Sequence, residues 1–487
     1  MQDVSYLTGP RRTDKNVIMK STASLPSLPA PRLTPELDPA FRPAVLFNRA
    51  FLALAKATPG SQPVGFVLEQ ADGSRFRFDT LVLPATHPEA AGNLLHLERM
   101  LKFLLWSRGG CRLFLTAPAE LDRQIRAHYA HDKTGLFDAE LMGARIYEKP
   151  FEIVSCPSAE LPAPRETTKP LGRQLKGCRI GFDLGASDRK VAALIDGKVV
   201  FSEETPWHPV VEKDPQWHVD QIMHSLKLGA AHLPRVDAIG GSSAGIFVNN
   251  RIKVASLFRG VSRELFDSRV KDIFVELKAA WNNIPFEVVN DGEVTALAGS
   301  MSIGSNSLLG IAMGSSEAGG YVTPDGNITS WLNELAFAPV DFNPAAAADE
   351  WSGDYGCGAL YFSQQAVGRL VEPAGITGCG EMSLPLRLEH VQALMKAGDA
   401  RAAKIYQTIG IYLGYAIAHY ADYYPLRNLL ILGRVTTGDG GTLILDTAKQ
   451  VLKQEFAERA EQITIHIPDE KMKRHGQAVA AASLPVA

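Results

Sequence analysis

The chain lacks a long hydrophobic run, a cysteine pair and an excess of charge of one sign, and each absence narrows what it can be. Its most apolar stretch, "IGIYLGYAIAHYADYY", is interrupted by Gly414, His419 and Asp422 well before membrane-spanning length. The first residues, "MQDVSYLTGPRRTDKN", have no apolar core of a secretory leader, so a cytoplasmic protein with no membrane partner is expected. Five cysteines (Cys111, Cys156, Cys178, Cys357, Cys379) are an odd number without CxxC spacing. That argues against a disulfide framework and against a zinc knuckle, and buried reduced thiols are the expectation. Fifty basic residues against fifty-three acidic ones give a formal charge of -3 with no dense Lys/Arg stripe, so nucleic acid is not an expected partner.

What is present is enough chain, 487 residues, for roughly three domains on a ~150-residue prior. Residues 1–43, including "STASLPSLPAPRLTPELDP", are rich in Pro, Ser and Thr and read as a tail or surface strap without a core of its own. Residues 44–158 read as an accessory α/β domain. "AVLFNRAFLALAKA" has helical spacing and "VGFVLEQADGSRFRFDTLVL" is two strands about an Asp72-Gly73 turn. A helix through "NLLHLERMLKFLLW", a strand "CRLFLTAP", a helix "AELDRQIRAHYA" and a last strand "ARIYEKPFEIVS" follow. No chemical motif lies here, and a structural, docking or oligomerising role is expected, with a homo-oligomer, a dimer, as the assembly. Residues 159–176 read as a Pro-rich linker.

Beyond the linker, "CRIGFDLGASDRKVAALIDGKVVF" predicts a strand, a Gly/Ser turn, a second strand, an Asp196-Gly197 turn and a third strand. The design returns in "LGIAMGSSEAGGYVTPDGNIT". An ungapped overlay matches Gly181 to Gly310, Gly185 to Gly314, Ser187 to Ser316, Asp196 to Asp325 and Gly197 to Gly326, with Asp188 opposite Glu317. One unit used twice suggests two related lobes about a cleft: residues 177–292, with a C-terminal helix at about 475–485 packing back on them, and residues 293–474. Strands alternate with helices throughout, among them a single helix through "ELFDSRVKDIFVELKAAW", as in a mixed sheet flanked by helices.

Turns of Gly and Ser let backbone N–H groups converge on phosphate oxygens without a Cβ in the way. "DLGAS" and "MGSSEAGG" are two such turns, each after a strand. Asp183 precedes the first, where a carboxylate can hold a metal ion directly or through water. At the end of the apolar "IPFEVV", Asn290-Asp291 stands where open α/β sheets present chemistry. There Asp291 can accept the proton of an attacking hydroxyl, or simply cap the helix that follows.

In order, "IGFDLGAS", "GGSSAG", "FEVVNDGEVTALAG", "GIAMGSSEAGGYVTPDG", "NEL" and "LLILGRV" resemble the ROK family (repressors, open reading frames, sugar kinases) of the actin/hexokinase superfamily, over roughly residues 177–480. The resemblance implies a two-lobed actin-like, ribonuclease H-like ATPase fold with an extra N-terminal α/β domain. It implies that Asp183, Gly185 and Ser187 serve Mg²⁺ and phosphate, and that Asp291 is the base. Asn290, Glu334 and Gln364 would then contact the sugar, Gly314 and Ser315 the phosphates, and Gly433 the adenosine of ATP.

Departures from the family pattern matter too. Phe337 replaces the family's zinc-ligand histidine and only Cys357 remains of its cysteine cluster, so no structural zinc is expected, and apolar packing about Phe337 and Phe362 is expected in its place. Gln364 stands for a sugar-contacting glutamate, and Arg434 breaks a Gly-Gly pair. Asp188 lies beside the first phosphate turn and Glu317 within the second. A carboxylate ~5 Å from a phosphate charge costs about 3 kcal/mol at an effective dielectric of 20, so Glu317 is expected to point outward as a surface carboxylate; otherwise ATP binds poorly. The expected activity is ATP- and Mg²⁺-dependent phosphorylation of a hexose hydroxyl. The alternatives are a non-catalytic sugar sensor or pseudokinase and, lacking any helix-turn-helix, least of all a repressor.

Overall fold

A computed structural model describes residues 28–166, 168–169, 171–468 and 476–486. In chain order the elements are α1 (Ala44–Ala57), β1 (Gln62–Glu69), β2 (Arg75–Val82), α2 (Gly92–Arg108), β3 (Arg112–Thr116), α3 (Ala119–His131), α4 (Lys133–Glu140), β4 (Glu152–Ser155) and β5 (Thr168–Lys169). Then come β6 (Cys178–Leu184), β7 (Asp188–Ile195), β8 (Lys198–Pro206), α5 (Pro215–Ala230), β9 (Ala238–Ser243), β10 (Ile246–Val248), β11 (Arg251–Val254), α6 (Arg263–Ser268), α7 (Ile273–Ala280), β12 (Phe286–Asn290) and α8 (Asp291–Ile303). The rest are β13 (Leu308–Met313), β14 (Glu317–Val322), β15 (Ile328–Thr329), α9 (Gln364–Leu370), α10 (Leu384–Lys396), α11 (Ala400–Tyr420), β16 (Asn428–Leu432), α12 (Gly438–Glu455), α13 (Ala457–Gln462), β17 (Thr464–His466) and α14 (Gln477–Ala482).

These elements fall into two compact units. Of the described residues, 171–303 and 476–486 form one, and 28–169 and 304–468 the other. The first unit is built on a sheet of order β12-β9-β6-β7-β8; the second carries a sheet of order β17-β16-β13-β14-β15-β5. Each is an antiparallel meander with two parallel strands added beside its first strand. The duplicated Gly/Ser and Asp-Gly turns of the sequence are the two bends of each meander.

In the first unit β6 is buried along its whole length. One sheet face, through Ile180 and Phe182, packs on Ile222 and Leu226 of α5 and on Phe274 and Leu277 of α7. On the other face α14 lies on Ala192 and Leu194. Its backbone comes so close that a Cβ on Gly181 would stand 1.8 Å from the Ala478 oxygen, and one on Gly240 1.7 Å from that of Ala481. Arg179 fixes the helix end by donating to the carbonyls of Ala482 (3.3 Å) and Pro485 (2.8 Å).

In the second unit the N-terminal elements form their own sheet, order β2-β1-β3-β4, and pack on residues 331–362. Trp106 at the end of α2 stacks on Phe337 with centroids 4.3 Å apart, and Phe137 lies 5.7 Å from the same ring. Beneath them the Lys102 ammonium, fully buried, bonds both oxygens of Asp138 at 2.9 Å and lies 3.1 Å from Asp354, which Arg99 reaches at 3.0 Å. The end of the sequence's Pro-rich segment is seated too. Phe41 is buried against Tyr412 (4.7 Å), and Asp38 accepts from Tyr412 (2.6 Å) and Arg369 (3.0 Å). Residues 1–27 of that segment lie outside the described residues.

Two element assignments need correction. "ARIYEKPFEIVS" is not one strand, because Leu141–Tyr147 continues α4 as π-helical turns and only Glu152–Ser155 pairs with β3. Gly143 permits this: a Cβ there would meet the Phe151 nitrogen at 2.7 Å. "ELFDSRVKDIFVELKAAW" breaks into α6, a 3₁₀ turn and α7, with Arg269 at φ -131° between them. All five cysteines are free thiols, four of them buried and Cys156 half-buried. No described helix is long and apolar enough to cross a membrane.

Candidate active site

Three parallel strand ends gather candidate site residues in the first unit. The register sets Asp183 of β6 opposite Ser242 of β9, and Ser243 opposite Asn290 of β12. Parallel pairing therefore brings Asp183, Ser242, Ser243, Asn290 and Asp291 to one carboxyl edge of the sheet. Asp183 is only 6% exposed, and burial pushes its carboxyl above the usual range against the opposing pull of Ser242 and Lys190. Asp291 is raised to about 6, first by burial and then by the charge of Asp183. Two carboxylates near one another in a dry setting cannot both ionise freely. The Ser243 hydroxyl beside them is buried and has no hydrogen-bond partner among the described residues.

Asp291 opens α8 and accepts from the Gly292 N–H at 2.9 Å, a donor it shares with the Asn290 Oδ1 at 2.7 Å. Asn290 also donates to the Gly245 carbonyl at 2.6 Å, so both ends of its amide are engaged locally. In the turn, Gly185 donates to the Asp188 carbonyl at 2.9 Å, and the Trp207 indole donates to the Gly185 carbonyl at 2.7 Å. Ser187 is exposed; its hydroxyl bonds Asp188 at 2.9 Å, and Lys190 lies 3.6 Å from the other Asp188 oxygen. The acid of the first turn thus faces a cation on its own hairpin.

In the second unit, parallel β13 and β16 bring two turns side by side. Ala312 pairs with Leu432, and Gly433, at φ +106°, backs onto Met313 so closely that a Cβ would stand 2.4 Å from the Met313 oxygen. Gly314 donates to the Ser316 carbonyl (3.0 Å) and accepts from the Gln364 N–H (2.9 Å), leaving Ser315 and Ser316 exposed. Gln364 is buried at the start of α9, with no protein donor to its Oε1 among the described residues. Glu334 is half-buried at the head of a 3₁₀ turn, Leu335–Phe337, and its own N–H donates to the Trp106 carbonyl at 2.9 Å. The ring of Phe337 fills the place of the family's zinc ligand with contacts to Trp106, Phe137 and Trp351. Most of that packing comes from the N-terminal elements; Phe362 contributes instead a contact to Tyr361.

Glu317 does not point outward. It is 3% exposed, and its Oε1 accepts from the Tyr420 hydroxyl at 3.2 Å. Position 317 opens β14 on the core side, where the sheet's alternation turns the side chain in under α11. Burial, opposed by the Tyr420 bond and helped by the charge of Glu334, raises its carboxyl to about 8. A carboxyl raised in this way favours its neutral form near pH 7, which lessens the repulsion expected of a full charge in the phosphate turn.

One feature was invisible in the sequence. A cavity of about 370 Å³ lies between α10, α11 and the start of α12, lined by Gln392, Met395, Lys396, Tyr406, Thr437 and Asp439 with Gly438 and Gly440. Gln392 donates to the Arg434 carbonyl and the Thr437 hydroxyl, both at 2.8 Å, tying the β16 turn to α10. The glycine run "GDGG" was the available signal, but its partners lie on helices distant in sequence.

No protein-family profile matches the chain. A glucokinase of Halalkalibacterium halodurans is 27% identical over 295 residues, 57% of this chain and 84% of the relative. The ROK hexokinase of Thermus thermophilus superposes with a TM-score of 0.50 at 17% identity, over 63% of this chain and 97% of its own. A ROK-family glucokinase of Streptomyces griseus, solved with glucose and AMPPNP, gives 0.50 at 18% over 63% and 99%. With the same meander-plus-parallel sheet in both units, this chain has the two-lobed actin-like fold of the ROK sugar kinases and resembles that family in sequence, with an extra α/β domain ahead of the lobes.

Proposed function

We propose that the chain is a ROK-type sugar kinase that transfers the γ-phosphoryl group of ATP to a hydroxyl of a hexose. The observation that carries this reading is Asp291: a carboxylate at a sheet's carboxyl edge, raised to about 6 and so poised as a base near neutral pH. Asp291 takes the hydroxyl proton while the sugar oxygen bonds to the γ-phosphorus. The bond from that phosphorus to the bridging oxygen breaks, and ADP leaves.

The other residues take roles their surroundings suit. Ser187, Gly314, Ser315 and the backbone of both turns receive phosphate oxygens. Glu334, Gln364 and Asn290 meet sugar hydroxyls; the unpartnered Oε1 of Gln364 is an acceptor in waiting. The cavity that Gln392 ties to the turn after β16, the turn that Gly433 opens, is of a size for adenosine and is proposed to take it. Asp183, a buried carboxylate whose ionised form gains from a cation, fits Mg²⁺ directly or through water. When bound, Mg²⁺ neutralises phosphate charge. A soluble cytoplasmic dimer remains part of this proposal.

The test is ATP consumption across hexoses and amino sugars, with a calorimetric titration of Mg-ATP. Asp291→Asn is expected to lower kcat by roughly 10²- to 10⁴-fold, and wild-type kcat/KM to fall as pH drops through about 6, where Asp291 protonates. Near-normal turnover in the variant would exclude base catalysis. Sugar binding with no nucleotide binding would point instead to a sensor.

A further inference from the structure

Glu317 poses a question that phosphate binding does not answer. Its Oε2 is buried with no hydrogen-bond partner among the described residues. It stands over the bare Cα of Gly358, 2.2 Å from where a Cβ would be, and the Leu335 carbonyl oxygen stands 2.5 Å from the same point. Two oxygens that can only accept crowd one spot. An ionised carboxylate there would meet a carbonyl dipole of the wrong sign in a dry interior, which is costly. A proton on Oε2 removes the conflict and gives Leu335 a donor. That carbonyl already accepts from Ala338 N–H at 2.9 Å and has a second lone pair to offer.

We infer that Glu317 is a positioning residue: protonated in the folded state, it donates to the Leu335 carbonyl and so holds the 333–338 turn that presents Glu334. The value of this for the sugar rests on the kinase reading above. The leading end of the turn is held by Asn333 and Glu334 donating to the carbonyls of Ser107 (3.0 Å) and Trp106 (2.9 Å) and by Tyr424 donating to Asn333 at 3.0 Å, and its trailing end by Gly358 donating to the Ala338 carbonyl at 3.0 Å. Glu317 secures Leu335, between those ends, from β14 below. Tyr420 at the end of α11, Tyr424 in the turn after it and Glu334 on the 333–338 turn are the titratable groups that act on it, and none is a cation.

Hydrogen exchange of the full chain tests the inference without reference to activity. Opening the turn lets Glu317 ionise as an ordinary carboxylic acid, near 4.5, whereas in the closed form it keeps its proton to about 8. Opening therefore releases one proton. After correction for intrinsic exchange, protection of the 334–337 amides should fall by about tenfold per pH unit between those values and level off above about 8. In Glu317→Gln, whose amide donates without titrating, the fall should vanish while protection at pH 6 stays. Identical pH dependence in wild type and Gln variant would overturn the inference. So would low protection in the Gln variant at every pH alongside a fall in wild type no steeper than elsewhere in the chain. The kinetic readout is the hexose KM, which should rise above pH 8 with kcat little changed in wild type and stay flat in Glu317→Gln. If no hexose is phosphorylated at all, the kinase reading fails and hydrogen exchange still decides the role of Glu317.

Discussion

Replacing Lys102 by Met asks whether the N-terminal elements are a part of the second unit's core. Lys102 is fully buried, bonds both oxygens of Asp138 and lies 3.1 Å from Asp354. The two carboxylates lose unequally without it. Asp354 keeps Arg99 at 3.0 Å, but Asp138, also fully buried, keeps among the described residues only the Trp106 indole N–H at 2.9 Å on one oxygen. Met fills most of the lysine's volume, so the loss is mainly one uncompensated carboxylate, and breaking a buried pair in this way costs about 3–5 kcal/mol. Urea denaturation at pH 8 measures it. Burial already raises the Asp138 carboxyl and the Lys102 charge restrains that rise; without the lysine it rises further, so the folded state gains a proton and the deficit should shrink toward pH 5. Adding Asp138→Leu to Lys102→Met should recover most of the loss, since a buried pair is often replaceable by apolar residues. A single-variant cost below about 1 kcal/mol, or one independent of pH, would refute the reasoning.

Two further perturbations test other parts of the structure. Gly181→Val places a Cβ 1.8 Å from the Ala478 oxygen, so it should displace α14, expose the C-terminus to protease and cost about 1–3 kcal/mol as overpacking; unchanged stability with unchanged C-terminal proteolysis would show the helix does not depend on that contact. Gly440→Val sets a Cβ 2.5 Å from the Tyr406 ring at the wall of the 370 Å³ cavity. It should weaken Mg-ATP at least roughly tenfold, about 1.4 kcal/mol, and leave glucose binding unchanged in a calorimetric titration; equal loss of both ligands would place the nucleotide elsewhere.

Much of this protein could be read locally. The meander in each unit was legible because its turns are made of residues whose conformational freedom the turn demands, Asp196-Gly197 with both φ values positive and Gly326 at +84°. The strand carrying Asn290 and Asp291 was legible from an apolar run ending in polar residues. Helix α5 was missed although its start is written plainly, with Asp214 accepting from the Gln216 N–H at 2.9 Å and proline at the first helical position. The π-helical turns after α4 were missed for a different reason: "ARIY" carries strand-like residues, and only the close approach of Phe151 to Gly143 explains the coil.

The sequence by itself determined the duplicated sheets and the identity of the residues at their strand ends, because short-range turn chemistry and alternation are local properties. Only the tertiary structure decided what Glu317 is. The same carboxylate is a charge when exposed and a neutral acid under α11, and burial depends on which helix covers the strand. It also decided what stands in for the missing histidine at Phe337: Trp106 and Phe137 lie some two hundred residues away in sequence, and packing between such distant segments follows from the fold's topology, not from any local pattern.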